Sequence, residues 1–236
     1  LGIFGNMTLS KQRMIGAIVG IGKIGLRHLE GSVNSNRLKQ IYLFDLDNSY
    51  RKKAAKLVEQ SQVELIFLNS LEDLPHELDL LILSTSANSR LSVLQSVLYS
   101  HKVHNLLLEK VVFNDVHHFS IFEELINSLK IDVRVNLSKR FDGLTSFLKS
   151  STQHSDKFRV NVTGGNWGLL CNAIHFIDMT GFISNRKLLT INSNLNPPFV
   201  SKREGFYETN GSITCLFEGD AFLTMSSTES EAPIHI

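Results

Sequence analysis

The stretch Met14-Ile15-Gly16-Ala17-Ile18-Val19-Gly20-Ile21-Gly22-Lys23-Ile24-Gly25-Leu26-Arg27-His28-Leu29 decides the fold. Residues 15–19 read as a buried strand, three glycines follow at once, and 24–32 continues with helical period. Glycines at these spacings also occur in unrelated turns, so the flanking strand and helix carry the weight. In a dinucleotide site Gly20 permits the tight turn, Gly22 lets a pyrophosphate approach the backbone, and Gly25 allows helix to pack on strand. The phosphates then rest on unpaired amides at the positive end of the helix. Asp45 closes the second predicted strand about twenty residues on, where a carboxylate accepts hydrogen bonds from the adenosine ribose. That favours NAD, because a 2′-phosphate would meet its charge. Arg51, Lys52 and Lys53 follow on a predicted helix, either as a solvated face or as a greeting for that phosphate, so NADP stays open as the alternative cofactor.

Working outward, short apolar runs alternate with helical segments from Met14 to about Lys130. Strands are expected at 15–19, 40–44, 65–67, 80–83, 105–108 and 132–135, and helices at 24–32, 49–60, 89–99 and 117–129, the grammar of a doubly wound α/β parallel sheet. Near Asn136 the pattern changes. A helix over 168–182 precedes alternating stretches at 212–217 and 221–226, joined by Glu218-Gly219-Asp220, which reads as an antiparallel hairpin. We therefore expect an N-terminal Rossmann domain over 12–132 and an α+β domain with a mostly antiparallel sheet over 133–236. The polar run 193–203, containing Pro197-Pro198, is expected to be a loop, and residues 1–11 are left out of the fold.

Composition narrows the function classes. The 236 residues carry 24 basic and 23 acidic side chains, a formal charge of +1, so no global field recruits nucleic acid or an anionic membrane. No apolar run approaches the roughly 18 residues of a membrane span. Two cysteines, Cys171 and Cys215, are too few for a disulfide framework and fit a reducing cytoplasm. Cys171 and His175, one helical turn apart, make only two ligands, so no metal site is expected. A Cys171 nucleophile is the weaker reading of the same pair, and His117-His118 read as a solvated helix face.

Glu109 and Lys110 follow the apolar fifth strand directly. Ligands of open parallel sheets bind beyond the carboxyl ends of the strands, and a lysine there can hydrogen-bond a substrate oxygen and favour its deprotonation. On the 168–182 helix, Leu169, Leu170, Ala173, Ile174 and Ile177 form the expected packing side, leaving Cys171, Asn172, His175 and Asp178 on another face. His175 suits proton transfer near neutrality, and Asp178 either orients its imidazole or caps local charge. Arg140 reads equally as an anion-binding group or a salt bridge at the domain junction.

Taken together, these residues resemble the Gfo/Idh/MocA oxidoreductases: the glycine loop with His28, Asp45, Glu109-Lys110 where the family has Glu-Lys-Pro, Asn136 with Arg140-Phe141, and the helix carrying His175. The resemblance implies a hydride transfer between a nicotinamide and a carbinol carbon of a sugar, polyol or derivative. It implies Lys110 and His175 as the catalytic pair. Gly20, Gly22, Lys23, Ile24, Gly25, Asp45, Ser84, Thr85, Glu109 and Lys110 would line the cofactor, and Lys110, Arg140, Trp167, Asn172, His175 and Asp178 the substrate. A sugar-like small molecule is the expected partner, with a homo-oligomer formed through the C-terminal sheet. Three departures stand out: Val111 replaces the proline and would leave the loop less rigid or differently aimed; Cys171 falls where the family carries an aspartate; and the chain stops at Ile236, so the second sheet is expected to lack strands. The non-catalytic alternative is a dinucleotide-binding homologue or sensor; a transferase or epimerase with a shuttling nucleotide is the third reading.

Overall fold

A computed structural model describes residues 14–152, 157–201 and 205–236. Residues 1–11, set apart above, and 202–203 of the expected loop lie outside the described residues. The chain divides into two compact units that meet in sequence between Asn136 and Leu137.

The first unit runs β1 (Met14–Val19), α1 (Lys23–Asn34), β2 (Leu38–Phe44), α2 (Tyr50–Val58), β3 (Glu64–Phe67), β4 (Glu77–Leu83), α3 (Ala87–Ser100), β5 (Lys102–Glu109), α4 (His117–Leu129) and β6 (Asp132–Asn136). All six strands pair in parallel in the order β3-β2-β1-β4-β5-β6, the Rossmann order expected from the alternation of elements. Each strand begins or ends a residue or more beyond its predicted bounds; in β4 and β5 the ladder continues past the apolar run to the pair Glu77 and Lys102.

Both faces of this sheet are covered, which is why residues 80–83 of β4 and 106–108 of β5 are apolar throughout. Ala17 and Val19 of β1 join Leu81, Leu83, Leu106 and Leu108 against Leu91 and Leu94 of α3 and Phe122 and Leu125 of α4. The alternate residues Ile18, Ile41, Leu43 and Ile82 are equally buried and point to the opposite face, the side of α1 and α2. The connection from β3 to β4 is only a short 3-10 turn, Leu71–Asp73, closed by a capping box between Ser70 and Asp73.

The second unit holds α5 (Gly143–Ser151), β7 (Phe158–Gly165), α6 (Leu169–Ser184), β8 (Leu188–Leu195), β9 (Phe199–Val200), β10 (Tyr207–Glu208), β11 (Gly211–Phe217) and β12 (Ala221–Thr228). Its sheet is ordered β7-β12-β11-β8; β12 and β8 flank β11 antiparallel, while β7 lies parallel to β12. The predicted hairpin is present, and its turn places Gly219 and Asp220 in the left-handed region. The loop expected at 193–203 is overturned in part: 193–195 finish β8, and β9 pairs with β10 in a separate ribbon.

The face of α6 differs from expectation only in part, since Leu169, Ala173 and Ile177 pack as expected. Leu169, Ala173, Phe176, Met179, Thr180 and Ile183 are buried against Val162, Ile213, Cys215, Phe217, Leu223 and Met225, whereas Leu170 is exposed. The helix is apolar nearly all round, so several stripes fit its period and the bulk of Phe176 and Met179 selects among them. Among the described residues no helix is long and apolar enough to cross a membrane.

Candidate functional site

The glycine loop separates by what each glycine is for. A Cβ on Gly25 would fall 2.0 Å from the Gly20 carbonyl oxygen, and one on Gly20 would fall 2.8 Å from Thr85 N, with Gly20 itself at φ +89°. Both positions are demanded by the chain's own packing. Gly22 is different: a Cβ there would meet nothing within 4 Å. It also caps α1 without any side-chain hydrogen bond, so the first-turn amides are left to other partners. At the end of β4, Ser84 Oγ donates to the Gly20 carbonyl (2.6 Å), and Thr85 Oγ1 is buried with no hydrogen-bond partner. Lys23 and Ile24 are exposed beside the loop.

Asp45, just past β2, turns its carboxylate back to the loop, accepting from the Ile21 amide and from the Asp47 amide at 2.8 Å. Of the three cations that follow, Arg51 is engaged elsewhere: it donates to the Leu68 carbonyl (2.7 Å) and Asn69 Oδ1 (3.0 Å), and its guanidinium lies over Phe67. Lys52 and Lys53 are exposed, Lys53 over the Tyr50 ring.

At the end of β5, Glu109 is buried and its Oε1 accepts from His28 Nε2 (2.7 Å) and Asn136 Nδ2 (2.6 Å). Burial by itself pushes this carboxyl up, but the hydrogen bonds from His28 and Asn136 and the charges of His28 and Arg90 outweigh it and hold Glu109 below the usual carboxylate range. The half-buried Lys110 follows at once. Around this turn the buried Arg90 guanidinium donates to the carbonyls of Glu109 (2.8 Å), Val111 and Val112 (2.7 Å), and to that of Thr85. The Lys110–Val111 peptide is cis.

In the second unit, Gly168 opens α6 in the left-handed conformation, and Glu208 of β10 caps the helix, its two oxygens accepting from the Leu170 and Cys171 amides at 3.0 Å each. Asn172 donates to the carbonyls of Trp167 (2.8 Å) and Gly168 (3.1 Å). His175 is half-buried one turn further on, and Cys171 is exposed. Asp178 forms a two-point pair with Arg140, Nε to Oδ2 at 2.8 Å and Nη2 to Oδ1. The pair is internal to the second unit, and it raises the Arg140 pKa through the bond to Asp178. Trp167 is buried, edge-on to Phe176, with its indole N–H donated to the Ser226 carbonyl (2.8 Å).

Sequence reasoning missed Glu208, Arg90 and the pairing of His28 with Glu109. Glu208 lies 38 residues from the helix end it caps, and His28 lies 81 residues from Glu109, beyond the reach of spacing rules. The buried arginine on α3 has no signal in its local sequence.

No family model matches the sequence, and no curated protein matches it by sequence. Solved structures do match. The WlbA dehydrogenase from Chromobacterium violaceum, determined with NADH and UDP-GlcNAcA, superposes with a TM-score of 0.73 at 17% identity, over 96% of this chain and 71% of that one. A probable dehydrogenase from Thermotoga maritima gives 0.69 at 17%, over 92% and 69%. The scyllo-inositol dehydrogenase from Lactobacillus casei with NAD(H) and scyllo-inositol gives 0.67 at 15%, over 95% and 72%. The fold of this chain is that of the Gfo/Idh/MocA-type dehydrogenases.

Proposed function

We propose that the chain is an NAD(H)-dependent oxidoreductase acting on a carbinol carbon of a sugar, polyol or sugar derivative. The observation that carries this reading is Gly22, a glycine the fold does not require, set in open space at the uncapped start of α1. A backbone bare at that point is what close approach of a pyrophosphate needs. Gly20, Gly22, Lys23, Ile24 and Gly25 would hold the phosphates and Asp45 the adenosine ribose, while Ser84, Thr85 and the Glu109-Lys110 turn line the path beyond β4 and β5. The buried Thr85 Oγ1 fits such a ligand, since it has no protein partner. NAD is favoured over NADP because Asp45 is acidic and Arg51 is tied to the end of β3. The nicotinamide, when bound, supplies the redox chemistry.

Lys110 would donate a hydrogen bond to the substrate oxygen and stabilise its negative charge as the hydroxyl proton leaves; His175 would take or return a proton at its imidazole. Asn172 and Asp178 support this role indirectly, the first by closing the start of α6, the second by anchoring Arg140. Trp167 contributes as a wall of the same unit rather than through its N–H. Self-association through the second sheet belongs to this proposal, supported by the exposure of β8 along its whole length.

A panel of sugars, nucleotide sugars and polyols, assayed with NAD and NADP at the reduced-nicotinamide band, tests the proposal. Turnover with NAD on at least one of them is expected; strict preference for NADP overturns the assignment of Asp45. A dinucleotide-binding protein without turnover is the second reading, favoured by Cys171 at the aspartate position. Binding of NADH with no turnover across the panel would select it.

A further inference from the structure

The His28–Glu109 pair lies between the two features on which the proposed function depends. His28 sits on α1, the helix that begins at the glycine loop, and Glu109 is the residue immediately before Lys110. Their side chains are only 13% and 11% exposed. Glu109 and Asn136 are register partners across β5 and β6, and Asn136 donates to the same Glu109 oxygen that His28 reaches. On the other side of the turn, Arg90 binds the carbonyls of Glu109, Val111 and Val112. Lys110 is therefore the one residue of the turn between a clamped side chain before it and clamped carbonyls on either flank.

Burying a carboxylate is costly unless its hydrogen bonds are met, and an apolar side chain would fill the same space without that cost. Here the carboxylate is met by donors from two separate elements, a helix and a strand. We infer that Glu109 is a positioning residue for Lys110, held by His28 and Asn136 so that the phosphate-binding helix and the Lys110 turn move as one piece. The inference rests on the dinucleotide reading for its purpose, but its geometry does not. In this inference the Glu109 carboxylate acts on the turn through His28 and Asn136, while the turn itself lines the path proposed for the cofactor.

Hydrogen exchange of the intact chain without ligand tests this directly, in wild type and in His28→Ala, His28→Gln and Asn136→Ala. Glutamine can place an amide N–H where the His28 Nε2 stands, so it serves as the rescuing variant. Exchange at residues 110–112 is expected to rise about tenfold in His28→Ala and Asn136→Ala, and to stay within about twofold of wild type in His28→Gln. NADH titrations of the same four proteins are expected to give dissociation constants within about threefold of one another, as positioning without cofactor contact requires. Equal loosening in His28→Gln and His28→Ala overturns the inference, because the histidine would then only fill space. So does unchanged exchange in all three variants, or a loss of NADH affinity in Asn136→Ala with the turn intact. If wild type fails to bind NADH, the dinucleotide reading falls while the exchange comparison still decides whether Glu109 positions the turn.

Discussion

Alanine at Gly22 and alanine at Gly25 should fail in opposite ways, and the contrast follows from the space around each residue. At Gly25 the new Cβ would stand 2.0 Å from the Gly20 carbonyl oxygen and 2.9 Å from its carbon, both backbone atoms of a turn that is itself pinned against Thr85. Relief requires α1 to move off β1, an overpacking cost of about 3 kcal/mol, which lowers the melting temperature by ~6–12 °C in a chain of this size. At Gly22 the Cβ meets nothing within 4 Å, and φ −54° suits any L residue. Losing glycine's unfolded-state entropy stabilises by about 0.4–1 kcal/mol, and replacing glycine with alanine at a helix N-cap costs about as much. Gly22→Ala should therefore melt within ~3 °C of wild type. Its methyl group would stand where the pyrophosphate must approach. Displacing one charge-assisted hydrogen bond costs about 1.5–3 kcal/mol, so NADH affinity should fall ~10–100-fold. Thermal melts and fluorescence titration with NADH read both quantities on the same samples. A folded Gly22→Ala protein that binds NADH within about twofold of wild type would refute the reasoning.

Two further outcomes follow from charge and burial. Because Glu109 is held below the usual carboxylate range, its contribution to stability is present above the unfolded-state pKa and is lost as pH falls through the lower folded value. Melting temperatures measured from about pH 6 to about pH 3 should therefore fall more steeply in wild type than in Glu109→Gln; parallel curves would contradict the assignment. Burial pushes the Cys215 thiol up to about 11, while Cys171 is exposed. A thiol reagent near neutral pH should label Cys171 in the native protein and reach Cys215 only after unfolding; rapid native labelling of Cys215 would show that β11 is not buried as described.

The legible parts of this chain are those in which a few adjacent residues face one dominant constraint. The stretches 80–83 of β4 and 106–108 of β5 are apolar because both faces are covered, and Gly20 and Gly25 are readable because each answers a demand of local packing. The face of α6 was legible only in part for the opposite reason: a helix with apolar residues on most sides offers several packing stripes, and only the opposing sheet decides among them. Strand β8 is exposed along its whole length, so no burial imposes an alternating pattern on Leu188–Leu195, and its polar end resembles a loop. By contrast β7 does alternate, Phe158, Val160 and Val162 against Arg159, Asn161 and Thr163, and that signal was available.

Within the candidate site, residue types were easier to read than partners. Arg140 and Asp178 had each been left with two roles; the two-point bond between them gives both a partner that neither spacing nor composition could supply. The carboxylate of Glu109 likewise has partners 81 and 27 residues away in sequence. Such contacts are fixed by how the sheet and helices pack, and one sequence carries no trace of them.

The proposed chemistry rests most directly on His175. The decisive measurement is reduced-nicotinamide absorbance during turnover by wild type and His175→Ala on the same accepted substrate, with NADH affinity determined for both. The account predicts that turnover is abolished in the variant while the dissociation constant for NADH stays within about twofold, since the glycine loop and Asp45 are untouched. Equal turnover in the two proteins would contradict it.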